Sequence, residues 1–139
     1  MHDDRVLTAA DFVNERVLDM LANIMPEAEF SDLVRTGMAS FEAYCRNMGA
    51  PQATEDAIQH DAHRLKGSSG SLGFARISDI AMRLEFAQRH EVAALVAELE
   101  LAIARTAREL GRLGLLAAPR DEPHYWSRTS ATSPLSAAR

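Results

Sequence analysis

The residues of this chain whose types and spacing could do chemistry lie just before its midpoint. Lys66 and Gly67 follow His63 by three and four positions. On an α-helix these offsets place all three residues on neighbouring turns. A glycine four residues after a histidine leaves no side chain over the turn beside the imidazole, so another protein's backbone can come close. An exposed imidazole is a competent nucleophile at neutral pH, because its unperturbed pKa is about 6.5. An exposed imidazole beside a fixed cation therefore combines the nucleophile and the positive charge that a phosphoryl acceptor needs.

The segment that positions His63 is predicted to be an amphipathic helix. Apolar or small residues recur at steps of three and four over residues 58–72 and form one stripe. At about 100° per residue, His63 lies about 140° from that stripe and therefore faces solvent. Two glycines and three serines within residues 67–71 cost this helix about 3 kcal/mol relative to alanine. We interpret that composition as a requirement for access to the histidine.

These residues resemble the motif of the histidine-containing phosphotransfer (HPt) domains of bacterial phosphorelays. The family pattern is roughly His-x-Leu-Lys-Gly-(Ser/Ala)-(Ser/Ala)-x-x-(aliphatic)-Gly, and the chain matches it from His63 to Gly73. The resemblance implies that His63 is the phosphoaccepting histidine and that Lys66 is the phosphate-proximal lysine. It extends more loosely, as helix spacing, over about residues 9 to 114.

The resemblance implies a phosphorelay intermediate. The His63 imidazole would attack a receiver-domain aspartyl phosphate through its outer ring nitrogen, and the phosphoryl group would then pass to an aspartate of a second receiver. Response-regulator receiver domains and a hybrid histidine kinase would be the partners. Any Mg²⁺ would belong to the receiver, so we expect no cofactor of the protein's own. The residues expected to meet the receiver are Asp56, Gln59, His60, Lys66, Gly67 and Gly70.

The sequence indicates a phosphoryl carrier rather than an enzyme. It contains no phosphate-cradling glycine loop of the kind that binds nucleotides, so the chain has no visible means of using ATP. Histidine-bearing dimerisation helices of sensor kinases follow the histidine with an acidic residue and a nearby proline. Here Arg64 follows His63, and the next proline is Pro119. A kinase fragment is therefore not favoured.

Two other functions stay open. A helical adaptor that is not phosphorylated could bind a receiver or a kinase as a regulator, but it would be expected to lack the histidine or its lysine–glycine frame. A metal-binding bundle is suggested by Asp56, His60 and His63, which lie at i, i+4 and i+7 on one broad face. Zinc usually requires three or four converging ligands, and the sequence supplies no clear fourth. Without Lys66, Gly67 and Gly73 at their spacing from His63, the sequence would indicate only an ordinary exposed histidine on a helix.

The periodicity of apolar residues predicts an all-α fold with no strand. Predicted helices cover residues 9–24, 27–47, 52–72, 75–88 and 91–113. Short connections favour antiparallel neighbours. We therefore expect an up-down-up-down four-helix bundle with an additional N-terminal helix, a topology that rests partly on the family resemblance.

Length and composition predict one bundle domain over residues 1–116 and a flexible tail over 117–139, where prolines are scattered among small and polar residues. A net charge of −5 gives no support for a nucleic-acid role. Cys45 is the only cysteine, no apolar run is long enough to span a membrane, and the acidic start does not resemble a signal peptide. We expect a cytoplasmic protein, and a monomer because the core is sufficient for one.

Overall fold

The structure is a computed structural model, and it describes residues 7–115. Over this range the chain is all-helical and forms no strand, which confirms the predicted fold class. The helices are α1 (Ala9–Phe12), α2 (Glu15–Ile24), α3 (Glu27–Met48), α4 (Glu55–Ser71), α5 (Ala75–Glu85) and α6 (Val92–Arg112), with a short 3-10 helix (Arg89–Glu91) before α6. The predicted tail over 117–139 lies outside the described residues.

The four long helices α3 to α6 surround one apolar core. Helix α4 packs against α3 and α5, and α6 also packs against α3 and α5, so the contacts close into a ring. The rings of Phe41 and Phe74 meet edge to face within this core, with centroids 6.0 Å apart. The largest fully buried side chains include Phe30, Leu65, Ile77, Ile80, Leu84, Leu99 and Leu110. The up-down-up-down order of these helices stays a prediction.

The N-terminal helix predicted over residues 9–24 is interrupted, and the prediction of one continuous helix is wrong. Val13 and Asn14 are extended and separate α1 from α2. The Asn14 side chain accepts a hydrogen bond from the backbone N–H of Arg16 at 3.1 Å, so Asn14 is the N-cap of α2. The Asn14 N–H donates to the carbonyl oxygen of Gly73 at 2.7 Å. The break therefore ties α2 to the end of α4.

The end of α4 depends on Gly73, whose φ is +79°. The Phe74 N–H donates to the Ser69 carbonyl at 2.9 Å and the Gly73 N–H donates to the Gly70 carbonyl at 3.1 Å, the paired closure typical of a left-handed helix end. A Cβ at Gly73 would lie 2.9 Å from the Cβ of Val17, so any side chain there would displace α2. The prediction that Gly73 caps this helix is confirmed.

The helix predicted over residues 75–88 ends earlier than expected. Helix α5 stops at Glu85, and Phe86 leaves helical geometry with φ −113° and ψ 13°. The Arg89 guanidinium donates to the carbonyl oxygen of Ala53, which ties the following turn to the loop before α4. Glu85 and Phe86 are thereby held at the end of α5, beside the N-terminal half of α4.

Candidate functional site

Helix α4 carries His63 on its outer surface. The Thr54 hydroxyl accepts a hydrogen bond from the Ala57 N–H at 3.1 Å and caps the start of the helix. The inner stripe of α4 is fixed in the core, since Ala62 and Leu65 are fully buried. His63 therefore points outward, and 65% of its side chain is exposed. This agrees with the orientation expected from helical periodicity.

Glu85, the last residue of α5, contacts both His63 and Lys66. Its Oε2 lies 2.8 Å from Nδ1 of His63, and its Oε1 lies 2.8 Å from Nζ of Lys66. The Glu85 side chain is only 12% exposed, whereas that of Lys66 is 33% exposed. We call these three residues the His63 cluster. The largely buried carboxylate of Glu85 thus connects His63 and Lys66, the two residues that the sequence motif singled out.

The charge state of Glu85 determines which ring nitrogen of His63 carries the proton. The hydrogen bond from the Lys66 ammonium, and then that from His63, lower the pKa of the Glu85 carboxyl below its ordinary value. The ionised carboxylate can only accept hydrogen bonds, so Nδ1 of His63 must donate to it. In the neutral ring this arrangement leaves the lone pair on Nε2, the nitrogen on the far side from Glu85.

Two shallow grooves flank the His63 cluster along the seam between α4 and α5. Asp56 and Gln59 line the first groove together with Glu85 and Phe86, and we call it the Gln59 groove. The second, which we call the Gly70 groove, is lined by Lys66 and Gly70 from α4 and by Ser78 and Met82 from α5. Four of the predicted contact residues therefore line these grooves: Asp56 and Gln59 line the first, and Lys66 and Gly70 line the second. The two grooves meet at the His63 cluster.

Gly67 and Gly70 have different surroundings. A Cβ at Gly67 would meet nothing within 4 Å, so the surface beside His63 is open at this position. A Cβ at Gly70 would lie 3.4 Å from the Ser78 hydroxyl, which itself donates to the Lys66 carbonyl at 3.2 Å. Gly70 is thus also part of the close packing between α4 and α5. His60 is exposed on the outer face of α4, and its predicted role in partner binding stays a prediction.

Sequence reasoning missed Glu85. Its contact with His63 depends on how α5 packs against α4, and no local motif records that packing. A signal was present: Ser78, Met82 and Glu85 recur at helical spacing on one side of the apolar stripe of α5. That side faces α4, so the last of the three residues reaches the histidine.

Other chemistries find no support in the described range. Within residues 7–115, no group of three or more histidine, cysteine or acidic side chains is placed to hold a metal ion. In the same range, no helix combines the length and apolar character that crossing a membrane would require. The metal-binding alternative for Asp56, His60 and His63 therefore has no geometric observation in its favour.

Comparison with known proteins identifies the class. A family model described as the Hpt domain matches residues 15–109, which span α2 to α6 except for the last residues of α6. The chain therefore belongs to the Hpt domain family. Members of this family carry phosphoryl groups on histidine in phosphorelays, act as phosphocarriers rather than kinases, and interact with receiver domains and kinases. No curated protein and no solved structure matches the chain significantly.

Proposed function

We propose that His63 accepts a phosphoryl group from the aspartyl phosphate of one receiver domain and passes it to an aspartate of a second. The observation that carries this proposal is the 2.8 Å contact between Glu85 Oε2 and Nδ1 of an imidazole that is 65% exposed. Since the proton is held on Nδ1, the lone pair on Nε2 is available to an incoming phosphoryl group.

The transfer step forms one bond and breaks one. The Nε2 lone pair forms the N–P bond, and the bond between phosphorus and the aspartyl oxygen breaks, so the receiver's carboxylate leaves with the electron pair. The phosphorylated ring keeps its proton on Nδ1 and carries positive charge. Glu85 is proposed to stabilise that charge, because its carboxylate accepts the hydrogen bond from Nδ1 and only 12% of its side chain is exposed. In the second transfer the same bonds exchange in reverse order.

Lys66 is proposed to offset the negative charge of the phosphoryl group. Its ammonium is held 2.8 Å from Glu85 Oε1, and its side chain lies one helical turn after His63 on α4. A positioned cation near a transferring phosphoryl group acts through electrostatic stabilisation and needs no covalent chemistry of its own.

The remaining components of the reaction are assigned to the partners. We propose that the receiver supplies the Mg²⁺, that a hybrid histidine kinase stands upstream of the donor receiver, and that the chain itself uses no ATP. We also propose a cytoplasmic monomer whose four long helices follow an up-down-up-down order. The lone and buried Cys45 supports a reducing compartment. Short connections between the long helices support the topology.

The test is transfer from phosphorylated receivers to wild-type protein and to His63→Gln. A panel of isolated receiver domains is phosphorylated with acetyl phosphate and Mg²⁺ and then mixed with each protein. We expect acid-labile phosphate on the wild type and none on His63→Gln, whose helical circular dichroism should be unchanged because the side chain is exposed. Acid-labile phosphate on His63→Gln would contradict the proposal. Receiver binding without transfer to the wild type would instead support the adaptor alternative.

A further inference from the structure

A groove between α3 and α6 lies on the side of the bundle away from His63. The long helices contact one another in the ring order α3, α4, α5, α6, so the α3–α6 seam is opposite the α4–α5 seam that carries the His63 cluster. The groove has a volume of about 500 Å³, within the range of sites that take compact organic groups. Its floor includes Cys45, Val96 and Ile103, all of them buried. We call it the α3–α6 groove.

The rim of the α3–α6 groove is acidic. Glu42 and Glu100 are exposed there beside a single base, Arg46. Neither acidic side chain forms a salt bridge within residues 7–115. Burial, and then the charges of Glu100 and Glu42, raise the pKa of the Cys45 thiol to about 12. The groove therefore suits an apolar group that carries a positive charge beside it.

The chain turns away from the axis of α6 at the end of that helix. Gly114 has a φ of +80°, and the Leu115 N–H donates to the Leu110 carbonyl at 2.8 Å, a closure typical of a left-handed helix end. Leu115 is buried, so it packs against the bundle instead of continuing outward. The residues that follow therefore start from the surface of the bundle, on the helix that forms one wall of the groove.

The chain beyond Leu115 is long enough to reach the whole groove. On α6 the groove runs from Ala107 to Val96, which lie about 12 Å and about 28 Å back along the helix from Leu115 at 1.5 Å per residue. Residues 124–126, His-Tyr-Trp, follow Leu115 by nine to eleven positions, and an extended chain covers about 30–36 Å over that number of residues. A tether this short keeps the segment at a high effective concentration, so weak contacts suffice for docking.

We propose that Tyr125 and Trp126 dock in the α3–α6 groove of their own chain. They interrupt a tail of mainly small and polar residues, and burying two such aromatic side chains removes about 300–500 Å² from water. Arg128 lies two positions after Trp126, and no acidic residue follows it, so its charge complements the acidic rim. The docked segment leaves His63 uncovered on the opposite seam, so this docking does not depend on phosphoryl transfer.

The experiment uses two probes that the chain already carries, because Trp126 is its only tryptophan and Cys45 is its only cysteine. The fluorescence emission of Trp126 is recorded in the full chain for the wild type, Ala104→Arg and Ala94→Arg. Ala104 is exposed and lines the groove, so an arginine there occupies it and repels Arg128. Ala94 is the matched control, because it is also an exposed alanine of α6 and does not line the groove. The rate at which a thiol reagent modifies Cys45 is compared between the wild type and Trp126→Ala.

We expect the Trp126 emission to lie at shorter wavelength in the wild type and in Ala94→Arg than in Ala104→Arg, because only the last variant expels the indole into water. Cys45 should be modified several-fold faster in Trp126→Ala than in the wild type, since the docked indole covers the thiol. The same emission in the wild type and Ala104→Arg, an equal change in both arginine variants, or an unchanged Cys45 rate in Trp126→Ala would overturn the inference. A wild-type emission that shifts with protein concentration would show docking on a second copy and would also overturn it.

Discussion

Glu85 Oε2 lies 2.8 Å from Nδ1 of His63, although the two residues are 22 positions apart and lie on different helices. The contact gives the exposed ring a defined orientation and a defined proton position. A histidine on a helix surface has neither property by default, since its ring rotates and its tautomers interconvert. The packing of α5 against α4 therefore prepares the ring, while the sequence motif supplies the open surface around it.

The tautomer of His63 should depend on Glu85. In the wild type near pH 8 we expect the Nδ1–H form, because the carboxylate accepts that proton. In Glu85→Ala the acceptor is gone, and the ring should shift toward the Nε2–H form. Glu85→Gln is the matched control, since its amide oxygen can still accept the hydrogen bond. The ¹⁵N shifts of the ring nitrogens report the tautomer. A predominantly Nε2–H ring in the wild type would show that the assignment of the proton is wrong.

The contribution of Glu85 to stability should depend on pH. Its folded-state pKa is lowered, first by Lys66 and then by His63, below the ordinary value of 4.5. A carboxyl whose pKa is lower in the folded state stabilises the fold above the unfolded-state pKa, and this contribution disappears as the pH falls through the folded-state pKa. The melting temperature of the wild type should exceed that of Glu85→Gln above about pH 5, and the difference should shrink toward pH 3. A gap that widens on acidification would contradict the ion pair.

Gly73 and Gly67 should respond in opposite ways to alanine. Gly73→Ala forces a side chain into a positive φ and to within 2.9 Å of the Val17 Cβ, so we expect a loss of about 2–4 kcal/mol in unfolding free energy. Gly67→Ala adds a Cβ in open space on a helix surface and should gain about 0.5–1 kcal/mol. Urea denaturation of both variants measures the two changes. Equal destabilisation would mean that Gly67 also has a packing role.

A bulky residue at position 67 should separate stability from transfer. In Gly67→Leu the helix gains intrinsic propensity, while the side chain occupies the open surface next to His63. We expect a melting temperature at or above that of the wild type, together with a severe loss of transfer from a phosphorylated receiver. Gly67→Ala is the matched control and should retain most of the activity. Full activity in Gly67→Leu would show that access past position 67 is not required.

The sequence predicts the features that depend on local periodicity and backbone chemistry. The outward orientation of His63 follows from the stripe on α4, and the role of Gly73 follows from its position after the last helical turn. The interruption at Asn14 was missed because the apolar periodicity continues through it. The hydrogen bond from the Asn14 N–H to Gly73, which is distant in sequence, stabilises the break together with the cap that the Asn14 side chain forms on α2.

Tertiary contacts account for the rest of what the sequence does not predict. The pairing of Glu85 with His63 requires the relative placement of two helices, and that placement is set by the core and by small residues at the seam, such as Gly70 and Ser78. Helix α5 ends at Glu85, whereas the apolar pattern extends the predicted helix to residue 88. Contacts between residues on different helices are thus harder to predict from the sequence than contacts between residues on the same helix.

The most direct measurement is the position of the phosphoryl group in the phosphorylated protein. Wild-type protein labelled with ¹⁵N-histidine is phosphorylated by a receiver, and phosphorus–nitrogen couplings are recorded together with the ring shifts of His63. The account predicts a phosphoryl group on Nε2 of His63, with the proton retained on Nδ1 beside Glu85. A phosphoryl group on Nδ1, or on any residue other than His63, would contradict it.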